Sequence, residues 1–162
     1  MKPILCILLV SISFYVSAQT TTPVPQIVQY GTSITLENSK KLLAAAEAFA
    51  VSKQYTVAIA IVDTGGNLVA FQKMDNTQIG SIEVALGKAK TANNFKRPTK
   101  SFEDALASGG VGLRVLSLSA YPIEGGEPIL SADGKIIGGI GVSGMSAVQD
   151  EEVVRAALVV LK

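Results

Sequence analysis

The chain has 162 residues, a formal net charge of +1 and 48% apolar residues, which suits one domain with its own core. It contains no histidine and a single cysteine, Cys6. Catalytic triads built on histidine, zinc sites built on nitrogen or sulfur, and histidine-ligated haem are therefore excluded; the nearly balanced charge gives no pull toward nucleic acid or an anionic membrane.

The first residues read as an export signal. Lys2 precedes a mostly apolar run from Ile4 to Val16, and Val16-Ser17-Ala18 ahead of Gln19 is a small-residue cleavage site. The run is short for a spanning helix, and an uncleaved anchor is the alternative reading. Cys6 lies too early and too deep in the run to be a lipidation site. The expected product is secreted or periplasmic, has no membrane anchor after cleavage, and without a thiol must be stabilised by packing alone. Its charge is balanced, because Lys2 accounts for the difference between 14 basic and 13 acidic residues. Residues 19–31, rich in Thr, Pro and Gln without periodicity, read as a linker, so the sequence divides into a signal at 1–18, a linker at 19–31 and a domain at 32–162.

In chain order, Leu36, Leu42, Leu43, Ala46, Phe49 and Ala50 recur at helical spacing, with Ser33 or Thr35 as the cap. Tyr55 to Val62 and Leu68 to Met74 are strands joined by the turn residues Asp63 to Asn67, where Asp63 favours local hydrogen bonding. Gln78 to Phe95 returns to helical spacing with a face of small residues, and Pro98 ends it. Ser101 to Ala107 predicts a short helix capped by Ser101, and Leu113 to Leu118 a strand. Ile129-Leu130 and Ile136 to Val142 predict a hairpin around a two-residue Asp133-Gly134 turn. Asp150 to Leu161 predicts a closing helix with Asp150, Glu151 and Glu152 at its positive end. Hairpins with helices between them predict an antiparallel sheet covered by helices, an α+β fold in one domain.

Gly139-Ile140-Gly141-Val142-Ser143-Gly144 satisfies the G-x-G-x-x-G pattern. A dinucleotide fingerprint needs a strand ending at its first glycine and a second parallel strand some twenty residues on. Here the glycines run through the strand and the sequence ends at Lys162. The related nucleophile elbow fails as well, with Met145 at its last glycine position and no histidine to activate Ser143. The glycines instead allow a close approach to the strand by another backbone, a flat ligand or a neighbouring subunit, or they mark a bulge.

Three segments together carry a family resemblance: "AIAIVDTGGNLVAF", "SIEVALGKAKTANNFKRPT" and "GGEPILSADGKIIGGIGVSGM" with "QDEEVVRAAL". From about Thr35 to Lys162 the chain resembles the GlcG/HbpS haem-binding family, also found as the C-terminal half of PduO-type proteins. The resemblance implies a profilin-like α+β fold and homo-oligomers up to octamers. It also implies haem or a related tetrapyrrole as the small-molecule ligand, with haem degradation or redox sensing in some members. The matching positions are Lys88, Thr91, Phe95, Arg97, Pro98 and Thr99 in one region and Gly125, Gly126, Pro128, Gly138, Gly141, Gly144 and Asp150 in the other. Glu127 departs from the apolar residue usual between Gly-Gly and Pro.

Haem needs an apolar slot, cations for its propionates and an axial ligand. Lys88 and Arg97 are propionate candidates, with solvated surface charge as the bland alternative. Thr91, Tyr121 and Met145 are axial candidates, and Met145 also suits a core gap. The candidate binding set is Lys88, Thr91, Phe95, Arg97, Thr99, Gly126, Glu127, Pro128 and Met145. Asp63, Asp75, Glu83, Glu124 and Glu127 sit at no diagnostic metal spacing and read as turn or surface residues. The favoured expectation is an exported, oligomeric haem-binding protein. The alternatives are an enzyme acting on a small organic acid in a subunit-interface pocket, with Lys88 or Glu127 as acid or base, and a purely structural oligomeric module.

Overall fold

A computed structural model describes residues 27–161; the segment read as an export signal, residues 1–18, lies outside them. The elements are α1 (Leu36–Ser52), β1 (Ala58–Val62), β2 (Leu68–Lys73), α2 (Ser81–Phe95), α3 (Lys100–Ala107), a 3-10 helix (Gly110–Ser117), β3 (Gly126–Leu130), β4 (Ile136–Ser143), α4 (Ala147–Leu158) and a terminal 3-10 turn (Val159–Leu161). The four strands form one antiparallel sheet of order β2-β1-β4-β3. The α+β arrangement expected from the sequence is the one found.

Central strand β1 explains the layering. Its sequence AIAIV is buried throughout and alternates small with branched residues. Ile59 and Ile61 join Ile140 and Val142 of β4, Ile129 of β3, Leu42 and Ala46 of α1 and Val153 and Val154 of α4 in the main core. Each such branched side chain contributes about 1.5–3 kcal/mol on burial. Ala58, Ala60 and Val62 face the other way, against Ala85 and Ala89 of α2. The sheet is thus covered by α1 and α4 on one face and by α2 on the other.

Of the two caps expected for α1, Thr35 is the one used, its hydroxyl accepting from Asn38 N. Three local expectations shift. Helix α4 starts at Ala147, three residues before Asp150, because Ser146 and Gln149 form a reciprocal capping box. The β3–β4 turn has three residues: Ser131 and Lys135 close it, and Gly134 takes φ +78° at its end. The predicted strand at Leu113–Leu118 is instead a 3-10 helix with no buried residue. Arg114 and Ser117 alternate with apolar neighbours, but the pattern slips between Val115 and Leu116, so no single face stays apolar along the segment, and no sheet edge takes it up.

Of the segment read as linker, Gln29, Tyr30 and Gly31 are tied to the sheet, with Gly31 N donating to Ile136 O and Ile136 N to Gln29 O.

Candidate functional site

The glycine stretch answers to the chain's own helix. A Cβ on Gly141 would stand 2.2 Å from Ala85 O and 2.5 Å from Ala89 N, and one on Gly139 would stand 2.3 Å from Ala89 O. Helix α2 therefore lies directly on the backbone of β4. Among the three approaches the sequence allowed, the intramolecular one fills the space, and neither a flat ligand nor a sister chain can lie against Gly139 and Gly141.

Lys88 occupies the same interface. It is 1% exposed, and its Nζ donates to Asp150 Oδ2 at 2.8 Å and to Val142 O at 2.9 Å. Gly125, at φ +110°, leaves room for it: a Cβ there would stand 2.9 Å from Nζ and 2.8 Å from Asp150 Cβ. Burial pushes the Asp150 carboxyl above its usual range, against the pull of the Lys88 ammonium and the N–H groups of Met145 and Gly144. The pair bolts α2 to α4 across the end of the sheet. This corrects the reading of Lys88 as a solvated charge or a propionate partner, since its ammonium is buried and engaged.

Thr91, Thr99 and Gly126 are also engaged internally. Thr91 Oγ1 donates to Gly87 O at 2.8 Å and accepts from Tyr121 N at 2.9 Å, so the buried hydroxyl is occupied as donor and as acceptor. Thr99 Oγ1 accepts from Gly126 N at 3.0 Å, and Thr99 N donates to Gly126 O at 2.9 Å, fixing the start of β3. That use of Thr99 also explains why α3 begins at Lys100 without a side-chain cap from Ser101. Phe95 stacks edge-on against Phe102 with ring centroids 5.2 Å apart. Met145 packs half-buried against the main core, as a gap-filling thioether does. Arg97 is exposed, its Nε bonded to Phe95 O and its guanidinium over the Phe102 ring.

Beyond α3 the chain presents an unusual surface. Val111, Leu113, Leu116, Leu118, Tyr121 and Ile123 are all exposed, Val111 by 70% and Leu116 by 66%. Large apolar side chains exposed at such density along one stretch are the composition of interaction surfaces. Tyr121 is set by α2: a Cβ on Gly87 would collide with its ring at 2.3 Å, so glycine in mid-helix seats the phenol side chain there. Its hydroxyl makes no hydrogen bond among the described residues. A glycine in a helix interior costs about 1 kcal/mol relative to alanine, and Gly87 could have been flagged on that ground.

Glu127 sits on the opposite side of β3, sharing a face with Ile129 and meeting α4. Burial first, and then the neighbouring Glu151 carboxyl, push it up to about 8, against the pull of Arg155 and with a further push from Glu124. Glu151 Oε1 accepts from Arg155 Nε at 2.7 Å. A cavity of about 760 Å³ opens here, lined by Glu127, Pro128, Leu130, Arg155, Leu158 and Leu161 among others. The nine predicted residues therefore divide. Glu127 and Pro128 line this cavity, whereas Lys88, Thr91, Phe95, Arg97, Thr99 and Gly126 gather around α2 and α3, and Met145 lies in the core. Sequence reasoning missed Glu151 and Arg155 as site residues. Their i,i+4 spacing was visible, but their approach to Glu127 depends on the packing of α4 beside the edge strand.

Fold and surface together define a single-domain α+β protein with an antiparallel sheet between helical layers and a small-molecule-sized cavity at one edge. The chain belongs to the family described as haem degrading protein HbpS-like, whose model matches residues 34–159. It is 35% identical over 128 residues to an uncharacterized 15.0 kDa protein of the dhaT-dhaS intergenic region of Citrobacter freundii, covering 78% of this chain and 90% of that one. Among solved structures it resembles HbpS, with TM-score 0.72, 31% identity and coverage of 88% of this chain and 99% of that one. It also resembles a PduOC:heme complex, with TM-score 0.71, 30% identity and coverage of 79% and 94%.

Proposed function

We propose that the protein binds haem outside the cytoplasm, holding the macrocycle against the apolar face of residues 110–123, and that a second copy of the chain covers the macrocycle's other side. The observation that carries this reading is the run of exposed apolar side chains around a phenol that makes no hydrogen bond among the described residues. Family membership and the likeness to a haem complex support the choice of ligand.

The residues present fit such a group. Val111, Leu113 and Leu116 supply apolar surface, and Arg97 and Arg114 are exposed cations for propionates. Tyr121 supplies the oxygen donor, as tyrosine does in some haem proteins. Thr91 is a poorer donor because both sides of its hydroxyl are taken. Bound haem would supply an iron centre for redox or ligand chemistry. The chain's own contribution is to seat the phenol on Gly87, exclude water with its apolar residues and neutralise the propionates. Export through residues 1–18 puts the protein where haem would be captured, stored or sensed.

Titrating the purified protein with hemin tests the reading. Saturable binding with a shifted Soret band is expected, together with a complex larger than the monomer in sedimentation. An unshifted band or unsaturable association would overturn the assignment.

A further inference from the structure

A second site lies on the other side of β3. The Glu127 carboxyl is faced by Glu151 and Arg155 from α4 and by Glu124 from the stretch leading into β3. Behind Glu124 stand Glu103 and Lys100 of α3, with Glu103 Oε2 accepting from Glu124 N at 2.6 Å. Carboxyl groups outnumber cations in this cluster. Arg155 is held through Nε by Glu151 Oε1, and Lys100 is paired with Asp104.

Glu151 supplies an independent observation. It is 4% exposed, and its Oε2 has no hydrogen-bond donor among the described residues. A buried carboxylate oxygen needs a donor, because leaving it without one is costly. Beside this pair the cavity runs along Leu130, Leu158, Val159 and Leu161. Its volume of about 760 Å³ falls in the range of small-molecule sites. An apolar trough with the Glu127 carboxyl in its wall, and the unpaired Glu151 carboxyl oxygen buried on the neighbouring α4, has the chemistry of a receptor for a cation with a hydrocarbon tail.

We propose that this cavity binds a small amphipathic amine, whose ammonium donates to the Glu127 carboxylate in the cavity wall and to the unpaired Glu151 oxygen of α4, while its apolar body lies along Leu130, Leu158 and Val159. The exchange balances: the carboxyl O–H of Glu127 breaks, its proton goes to solvent, and ammonium N–H groups donate to the two carboxylates. An organic anion suits the site less well, since it would face Glu124, Glu127 and Glu151 with Arg155 as the one nearby cation of α4. Near neutral pH, Glu127 carries the proton in the empty site, which makes amine binding proton-releasing.

The probe is n-hexylamine, measured by calorimetry on the purified protein in buffers of different ionisation enthalpy, with methylamine and hexanoate alongside. Saturable hexylammonium binding is expected at pH 7 with release of close to one proton. Its affinity should rise by up to about tenfold per pH unit between pH 6 and 8, where the amine stays protonated. Methylamine should bind roughly tenfold or more weakly because it lacks the body that fills the trough. In Glu127→Gln, an isostere of the neutral acid that preserves the fold, affinity should drop at least about tenfold and the pH dependence should flatten. A wild-type protein that takes up no hexylamine, a Glu127→Gln variant that binds it equally well, or preferential binding of hexanoate would each overturn the proposal. Hemin binding at the Tyr121 face is read separately by its Soret band, so either assignment can fail without the other.

Discussion

The two faces of the sheet are built on opposite principles. Toward α2, the sheet presents Ala58, Ala60, Gly139 and Gly141, and the helix answers with Ala85 and Ala89, so backbone lies against backbone and no space remains. Toward α1 and α4, branched side chains make the core, and at the β3 edge the packing gives way to a cavity containing a half-buried carboxyl. The closed face tolerates only the residues it has, whereas the other face ends in groups with unused bonding capacity. A dense glycine motif therefore marks the structural side of this sheet, and a carboxyl set beside apolar neighbours marks the side with chemistry left to do.

The sharpest way to break the comparison is to crowd the closed face. Gly141→Val would place methyl groups where Ala85 O and Ala89 N already stand, and neither is the movable end of a side chain. The expected loss exceeds about 4 kcal/mol, enough to abolish folding in a domain of ordinary stability. A urea transition close to that of the parent protein would show that α2 can lift off β4.

Next in size is the bolt between the helical layers. Lys88→Met keeps the length of the side chain but strands Asp150 in the interior, with an expected cost of about 3 kcal/mol near neutral pH. Without the ammonium, the folded-state Asp150 pKa rises further above its unfolded value. The deficit is then largest at high pH and shrinks as the pH falls through that raised folded value, because the folded state takes up the proton. Equal deficits at pH 5 and pH 8 would argue against a buried charge as the cause.

On the open side, Glu127→Gln should stabilise the protein. A carboxyl pushed up to about 8 in the folded state and ordinary in the unfolded state costs stability as the pH rises from about 4.5 through about 8. The neutral isostere removes that slope, so the gain is absent at pH 4 and reaches on the order of 1–2 kcal/mol at pH 8, after allowance for screening at a partly exposed site. Melting curves at the two pH values measure it, and a variant less stable at pH 8 would mean that the ionised carboxylate helps hold α4.

What could be read from the sequence follows from how local the causes are. The α1 cap, the β1–β2 hairpin with its Asp63 turn and the small-residue face of α2 rest on neighbouring residues, and all were legible. The strand expected at Leu113–Leu118 failed because its alternation slips between Val115 and Leu116 and so does not specify pairing, and Leu113, Leu116 and Leu118 remain exposed. Lys88 was misread because a lysine near the middle of a helix looks solvated until Gly125 and Asp150, distant in sequence, create the hole and the charge that receive it. The Glu127–Glu151 pair was invisible for the same reason: the two residues lie on different elements, and only the placement of α4 over the sheet edge joins them.

The smallest expected effect on stability belongs to the residue with the largest expected effect on colour. Tyr121→Phe removes a hydroxyl that bonds to nothing among the described residues and keeps the ring that rests on Gly87. Its unfolding free energy should therefore stay within about 0.5 kcal/mol of the parent. If the phenol is the iron donor, the variant's hemin complex should lose any phenolate-to-iron charge-transfer absorption and show a displaced Soret band, while the apolar surface still retains the macrocycle with reduced affinity. Identical spectra from the parent and the variant would remove Tyr121 from the iron while leaving the apolar face in place. Arg97 and Arg114 would then be the next positions to vary, since loss of propionate pairing lowers affinity without moving the Soret band.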